Sequence, residues 1–114
     1  MKPIDPKHVQ HLLDQWNGET LYLQMEMTTG AYAAHNDSSK FTASTFVKNG
    51  TVRYGRGSIA GAGPYRVGLK TETGWVYSEG LTHYDSDGAD LLLLAGYDAE
   101  GKLVVGLQLG RNPL

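Results

Sequence analysis

The feature that most constrains this chain is a change of period at Thr20. Before it, Val9, Leu12, Leu13 and Trp16 recur at i, i+3, i+4 and i+7, which draws one apolar stripe along a helix. Asp5 is a suitable N-cap, because its carboxylate accepts from free backbone N–H groups. Pro6 falls at the first helical position, where its missing N–H costs nothing. Asn17-Gly18 supplies the stop. After Thr20, Leu21, Leu23, Met25 and Met27 alternate with Tyr22, Gln24 and Glu26, the two-residue period of a half-buried strand. A helix over about residues 6–17 is therefore expected to precede β structure over about 20–110.

Turn residues divide the β part into about eight short strands. Thr29-Gly30 turns the first strand into Ala31–His35, and Asn36-Asp37-Ser38-Ser39 is a polar loop. Phe41–Lys48 and Thr51–Gly57 flank Asn49-Gly50, a type I′ hairpin signal. The glycine-rich stretch Ser58–Pro64 reads as a loop. Tyr65–Glu72 and Trp75–Glu79 form a hairpin about Thr73-Gly74, Asp85–Gly88 is a loop, and Asp90–Tyr97 pairs with Lys102–Leu109. Every connection is too short for a parallel crossover. The fold expected is mainly β, on the border of α+β. One amphipathic helix covers an antiparallel meander that closes into a small barrel or a two-layer sandwich.

The chain of 114 residues suits a single domain, 1–114, and can bury roughly 65% of the surface its unfolded form exposes. It has no cysteine, which excludes disulfides, thiolate metal ligands and a Cys nucleophile. No apolar run is long enough to span a bilayer, and the N-terminus lacks the apolar core of a signal peptide. A soluble cytoplasmic protein that does not engage membranes is expected.

The net charge of −2 argues against a general nucleic-acid binder. That average hides an asymmetry. From Lys40 to Thr71 the charges are Lys40, Lys48, Arg53, Arg56, Arg66 and Lys70, with no acid. From Glu72 to Gly101 they are Glu72, Glu79, Asp85, Asp87, Asp90, Asp98 and Glu100, with no Lys or Arg. The simpler reading pairs the two segments across a sheet. The other leaves a basic surface for an anionic ligand, or a dipolar subunit that self-associates.

No motif specifies a reaction. Gly55, Gly57, Gly61 and Gly63 match neither a dinucleotide nor a Walker spacing, and no helix N-terminus follows them. Asp85-Ser86-Asp87-Gly88 with Asp90 resembles part of a calcium loop but lacks its later ligands, so a tight turn explains it better. His8 and His11, three apart on the polar side of the helix, are close enough to share a metal ion, but no carboxylate accompanies them on that face. Neither a metal nor a cofactor is expected. A small enzyme would draw its acid–base groups from His35, His83 or Glu79.

The most informative constellation is the Thr73-Gly74 hairpin. A two-residue loop there would pair Glu72 with Trp75, Lys70 with Tyr77, Gly68 with Glu79 and Arg66 with Leu81. One face then carries Arg66, Lys70, Trp75, Tyr77 and Glu79, with a gap at Gly68. Two aromatics and two cations around a gap can hold a small anionic or planar ligand. The same residues can also stack on an exterior face for stability alone, and a Trp on an exposed strand marks an interface.

Four segments carry a family resemblance: Met1-Lys2-Pro3-Ile4-Asp5-Pro6, Thr29-Gly30-Ala31-Tyr32-Ala33-Ala34-His35, Gly63-Pro64-Tyr65-Arg66-Val67-Gly68-Leu69-Lys70 and Gly74-Trp75-Val76-Tyr77-Ser78-Glu79-Gly80-Leu81-Thr82. Together they resemble the YojF family of small uncharacterised proteins from Bacillus-type bacteria, over nearly the whole chain. The resemblance implies a cytoplasmic β-rich protein. It also implies a working association with an LmbE-type deacetylase of bacillithiol synthesis, whose gene tends to lie beside the family's. It supplies no catalytic residues. The combined expectation is a non-enzymatic binding or accessory module that forms a homodimer or docks on a partner enzyme. The alternatives are a small enzyme and a metal-binding protein.

Overall fold

Helix α1 (Pro6–Gln15) begins as the sequence suggests: the Asp5 carboxylate accepts from the backbone N–H of Lys7 at 3.1 Å and of His8 at 3.4 Å. Trp16 caps the other end, and Gly18 leaves with φ +80°. The computed structural model describes residues 1–29 and 43–113. The expected turn at Thr29-Gly30, strand Ala31–His35, loop 36–39 and the start of the strand at Phe41, with Lys40 and His35, lie outside these residues.

The described residues contain nine strands in chain order: β1 (Lys2–Pro3), then after the helix β2 (Thr20–Thr29), β3 (Ala43–Arg53), β4 (Arg56–Gly61), β5 (Tyr65–Lys70), β6 (Trp75–Leu81), β7 (His83–Ser86), β8 (Leu91–Tyr97) and β9 (Leu103–Gly110). They form two antiparallel sheets. One has six strands in the order β1-β7-β8-β9-β2-β3, and the other is the meander β4-β5-β6. The layers make a sandwich rather than a closed barrel. Among the described residues two long-range pairings interrupt the meander: β1 with β7, and β2 with β9, which joins the start of the β region to its end.

Alternation decides which faces are buried. Leu21 and Leu23 of β2, Leu92 and Leu94 of β8, and Val105, Leu107 and Leu109 of β9 line the inner face of the large sheet. Val67 and Leu69 of β5, with Leu81, face them from the small sheet. Val9, Leu12, Leu13 and Trp16 fill the remaining space from the helix, and all of these belong to one core cluster. A Cβ on Gly57 would fall 2.9 Å from the Tyr54 ring and 3.3 Å from Leu13, so glycine there lets the helix approach β4 closely.

Two expectations are corrected here. Asn49-Gly50 does not turn the chain. β3 runs straight through it, and Asn49 takes φ +56° where Lys48 and Asn49 together oppose Gln24, a β-bulge. A hairpin turn and a bulge of this kind both need a residue at positive φ, so the dipeptide signals either. The chain instead leaves the large sheet at Tyr54-Gly55. Second, Ser58–Gly61 is strand, paired with Val67, Arg66 and their neighbours, and only Ala62–Pro64 turns.

β4 is an edge strand that the helix protects. The Gln10 amide donates to Gly57 O at 2.8 Å and accepts from Ile59 N at 3.0 Å, completing the edge as a neighbouring strand would. Its second N–H reaches Asp14 at 2.9 Å. Gln10→Ala strands two backbone groups of β4, and it is expected to lower stability by about 1–2 kcal/mol in urea unfolding, with an unchanged m-value.

The buried Tyr54 hydroxyl donates to Leu13 O at 2.7 Å. Burial, then the charges of Asp14 and Glu19, push its ionisation far above the ordinary 10.0. The folded chain therefore keeps this proton after the unfolded chain has lost it. The contribution is fully present below about pH 10 and is lost as pH rises beyond it. Tyr54→Phe should cost about 1 kcal/mol at neutral pH and flatten the alkaline loss of stability, read as urea midpoints between about pH 8 and pH 11.

Candidate functional site

The outer face of the three-stranded sheet is a grid of nine side-chain positions. Its register aligns Arg56 with Lys70, Ser58 with Gly68 and Ala60 with Arg66, then Lys70 with Trp75 and Gly68 with Tyr77. The hairpin loop is Glu72-Thr73, one residue earlier than expected: Thr71 N donates to Gly74 O at 2.8 Å, and Gly74 N donates to the Thr71 hydroxyl at 3.1 Å. Each pairing moves by two residues, so the facing is preserved. Arg66, Lys70, Trp75, Tyr77 and Glu79 do share one face.

The gap expected at Gly68 is filled. A Cβ there would fall 2.8 Å from Cε1 of Tyr77, so the Tyr77 ring lies down on the glycine backbone. Trp75 stacks beside it, with ring centres 5.3 Å apart and planes 7° from parallel. Arg66 lies over Tyr77 at 5.2 Å, and Lys70 over Trp75 at 5.8 Å. The two rings remain 45% and 49% exposed. The result is a flat, ordered, basic aromatic plate.

The charge asymmetry resolves mostly toward exposure. Among the described residues, Arg66–Glu79 at 3.2 Å is the one ion pair that joins the basic to the acidic segment, and both side chains are well exposed. Such a pair contributes little beyond orientation. Arg53, Arg56 and Lys70 make no ion pair among the described residues. Beside the plate, Arg53, Lys70 and Glu72 border a shallow depression of about 460 Å³ floored by Gly18 and Gly55.

The remaining candidates are committed elsewhere. His8 Nδ1 lies 2.9 Å from the Tyr84 hydroxyl, whereas His11 faces solvent. His83 Nδ1 lies 2.7 Å from the Thr82 hydroxyl, and its ring meets Tyr97 edge-on. Glu79 is paired with Arg66. The Asp87 carboxylate accepts from the N–H groups of Ala89, Asp90 and Leu91, which hold its carboxyl below the usual range; the expected loop is thus a turn only from Asp87 on, Asp85 and Ser86 being the end of β7. Among the described residues no group of three or more His, Asp or Glu is placed to hold a metal ion.

A second concave surface lies on the outer face of the six-stranded sheet. It is a cleft of about 380 Å³ bordered by Glu26, Phe46, Lys48, Leu93, Tyr97 and Gln108. The signal for it is the run Leu91-Leu92-Leu93-Leu94-Ala95. Leu92 and Leu94 face the core, so Leu91, Leu93 and Ala95 make the opposite face of β8 apolar as well.

Three comparisons agree. A family model described as a protein of unknown function, DUF1806, matches residues 3–114. The uncharacterized protein YojF of Bacillus subtilis (strain 168) is 43% identical over 113 residues, covering 99% of this chain and 97% of that protein. The crystal structure of the Bacillus subtilis YojF protein matches with a TM-score of 0.82 and 39% identity, covering 99% of this chain and 95% of that one.

Proposed function

The chain belongs to the DUF1806 family of proteins of unknown function, and from that premise we propose that it is a non-enzymatic accessory module that docks on a partner enzyme through the outer face of its three-stranded sheet. The observation that carries this reading is the Trp75–Tyr77 stack, held flat on Gly68 and flanked by Arg66 and Lys70. Aromatic and arginine side chains concentrate binding energy at protein interfaces, and rings already fixed in place lose little entropy on docking. A filled gap makes a plate, and a plate matches another surface better than it encloses a small substrate.

The cations give the plate a sign. Arg56, Arg66 and Lys70 would favour an acidic partner surface and steer its approach. The family resemblance nominates an LmbE-type deacetylase of bacillithiol synthesis as that partner, and a second copy of this chain is the competing occupant. The depression beside Lys70 and Arg53 supports a second reading, in which a small anionic ligand binds at the margin of the same face.

The test is co-purification with the neighbouring deacetylase, with its activity measured alone and in the mixture. Co-elution and altered activity are expected. Trp75→Ala with Tyr77→Ala should weaken the complex by about tenfold or more, and lower the thermal midpoint of the isolated protein by several degrees while leaving it folded, as a dispersed amide spectrum would show. Independent elution with unaltered activity would overturn the accessory reading.

A further inference from the structure

The outer cleft of the large sheet has its own chemistry, separate from the aromatic plate. Its floor is Gly106 and Ala95, which are paired across β9 and β8. Glu26 is paired with Gly106 from the other side. A Cβ on Gly106 would fall 3.1 Å from Oε1 of Glu26 and 3.2 Å from its Cγ, so the glutamate lies along the floor in the space the glycine leaves. Gln24 and Gln108 are paired across the next position and end the cleft with amide groups. Leu93, Tyr97 and Leu103 supply an apolar wall.

Two opposite charges border this floor without meeting. Glu26 makes no ion pair or hydrogen bond among the described residues. Lys48 lies with its ammonium 5.4 Å from the Phe46 ring centre, and it too makes no ion pair among them. Glu26 pairs with Phe46 on β3, so Lys48 is its diagonal neighbour on the same face, a spacing of roughly 7 Å. The bulge at Asn49 fixes where Lys48 stands. A carboxylate and an ammonium on diagonal positions of one face, beside an apolar wall, complement a molecule with an ammonium and a carboxylate on one carbon and an apolar substituent.

We propose that this cleft binds a small zwitterion, an α-amino acid with an apolar side chain. Glu26, lying over Gly106, takes its ammonium, Lys48 takes its carboxylate, and the side chain lies against Leu93, Tyr97 and Leu103. The cleft volume of about 380 Å³ lies within the range of small-molecule sites. This site is independent of the proposed docking plate, so each can fail without the other.

The experiment is amide chemical-shift mapping of the intact protein titrated with leucine and with phenylalanine. Saturable shifts are expected at Leu93, Ala95 and Gly106. N-acetyl-leucine and leucine amide each lack one charge, and should bind about tenfold or more weakly, because each loses one charge-assisted contact. Glu26→Gln and Lys48→Gln are surface substitutions that should keep the dispersed spectrum and show the same loss. Absence of shifts up to about 10 mM ligand, a concentration that detects even weak millimolar binding, would overturn the proposal. So would shifts centred elsewhere, or equal binding of the neutralised analogues. Concentration-dependent shifts of these amides without ligand would also overturn it, because they would assign the cleft to a second copy of the chain.

Discussion

The structure depends on one buried seam, where the helix stripe and the small sheet together close the inner face of the six-stranded sheet. Four helix residues, Val9, Leu12, Leu13 and Trp16, and three residues facing in from the small sheet, Val67, Leu69 and Leu81, share one cluster with the strands beneath them. The seam forces the helix against the free edge of β4. There the Gln10 amide completes backbone pairing that would otherwise face water or another chain. Hydrophobic burial brings the helix to that edge, and the polar pairing fixes how it lies.

Both covers are used on the inner face, so among the described residues neither the helix nor the other sheet covers the two outer faces. One is short, basic and aromatic, and the other is long, with an apolar strip along β8. Their chemistry differs because their floors differ. Gly68 is covered by a ring and becomes a plate, whereas Gly106 shares its space with a carboxylate and stays concave.

Much of this was legible before the fold was known. The helix and its cap follow from Asp5, Pro6 and the apolar spacing, and the shared face of Arg66, Lys70, Trp75, Tyr77 and Glu79 survives a change of register because side chains repeat every two residues. Asn49-Gly50 misled because positive φ serves a bulge as well as a turn. The β2–β9 pairing was hidden because a residue pattern reports which face is buried and does not report which strand lies alongside. Gln10 gave no signal, since its role depends on where β4 falls in space. The Leu91–Leu94 run did carry information. Four consecutive leucines cannot all face one side of a strand, so the second face had to be apolar too.

The family assignment explains the shape of the molecule and leaves its work to be read from the surfaces. The surface proposed for partner recognition is the outer face of β4, β5 and β6, with Trp75 and Tyr77 at its centre. The most direct measurement is amide hydrogen exchange on the complex with the neighbouring deacetylase, compared with the free protein. Added protection is expected over residues 56–79, with the outer face of the large sheet unchanged. Protection confined to β2, β8 and β9, with 56–79 unaffected, would contradict it.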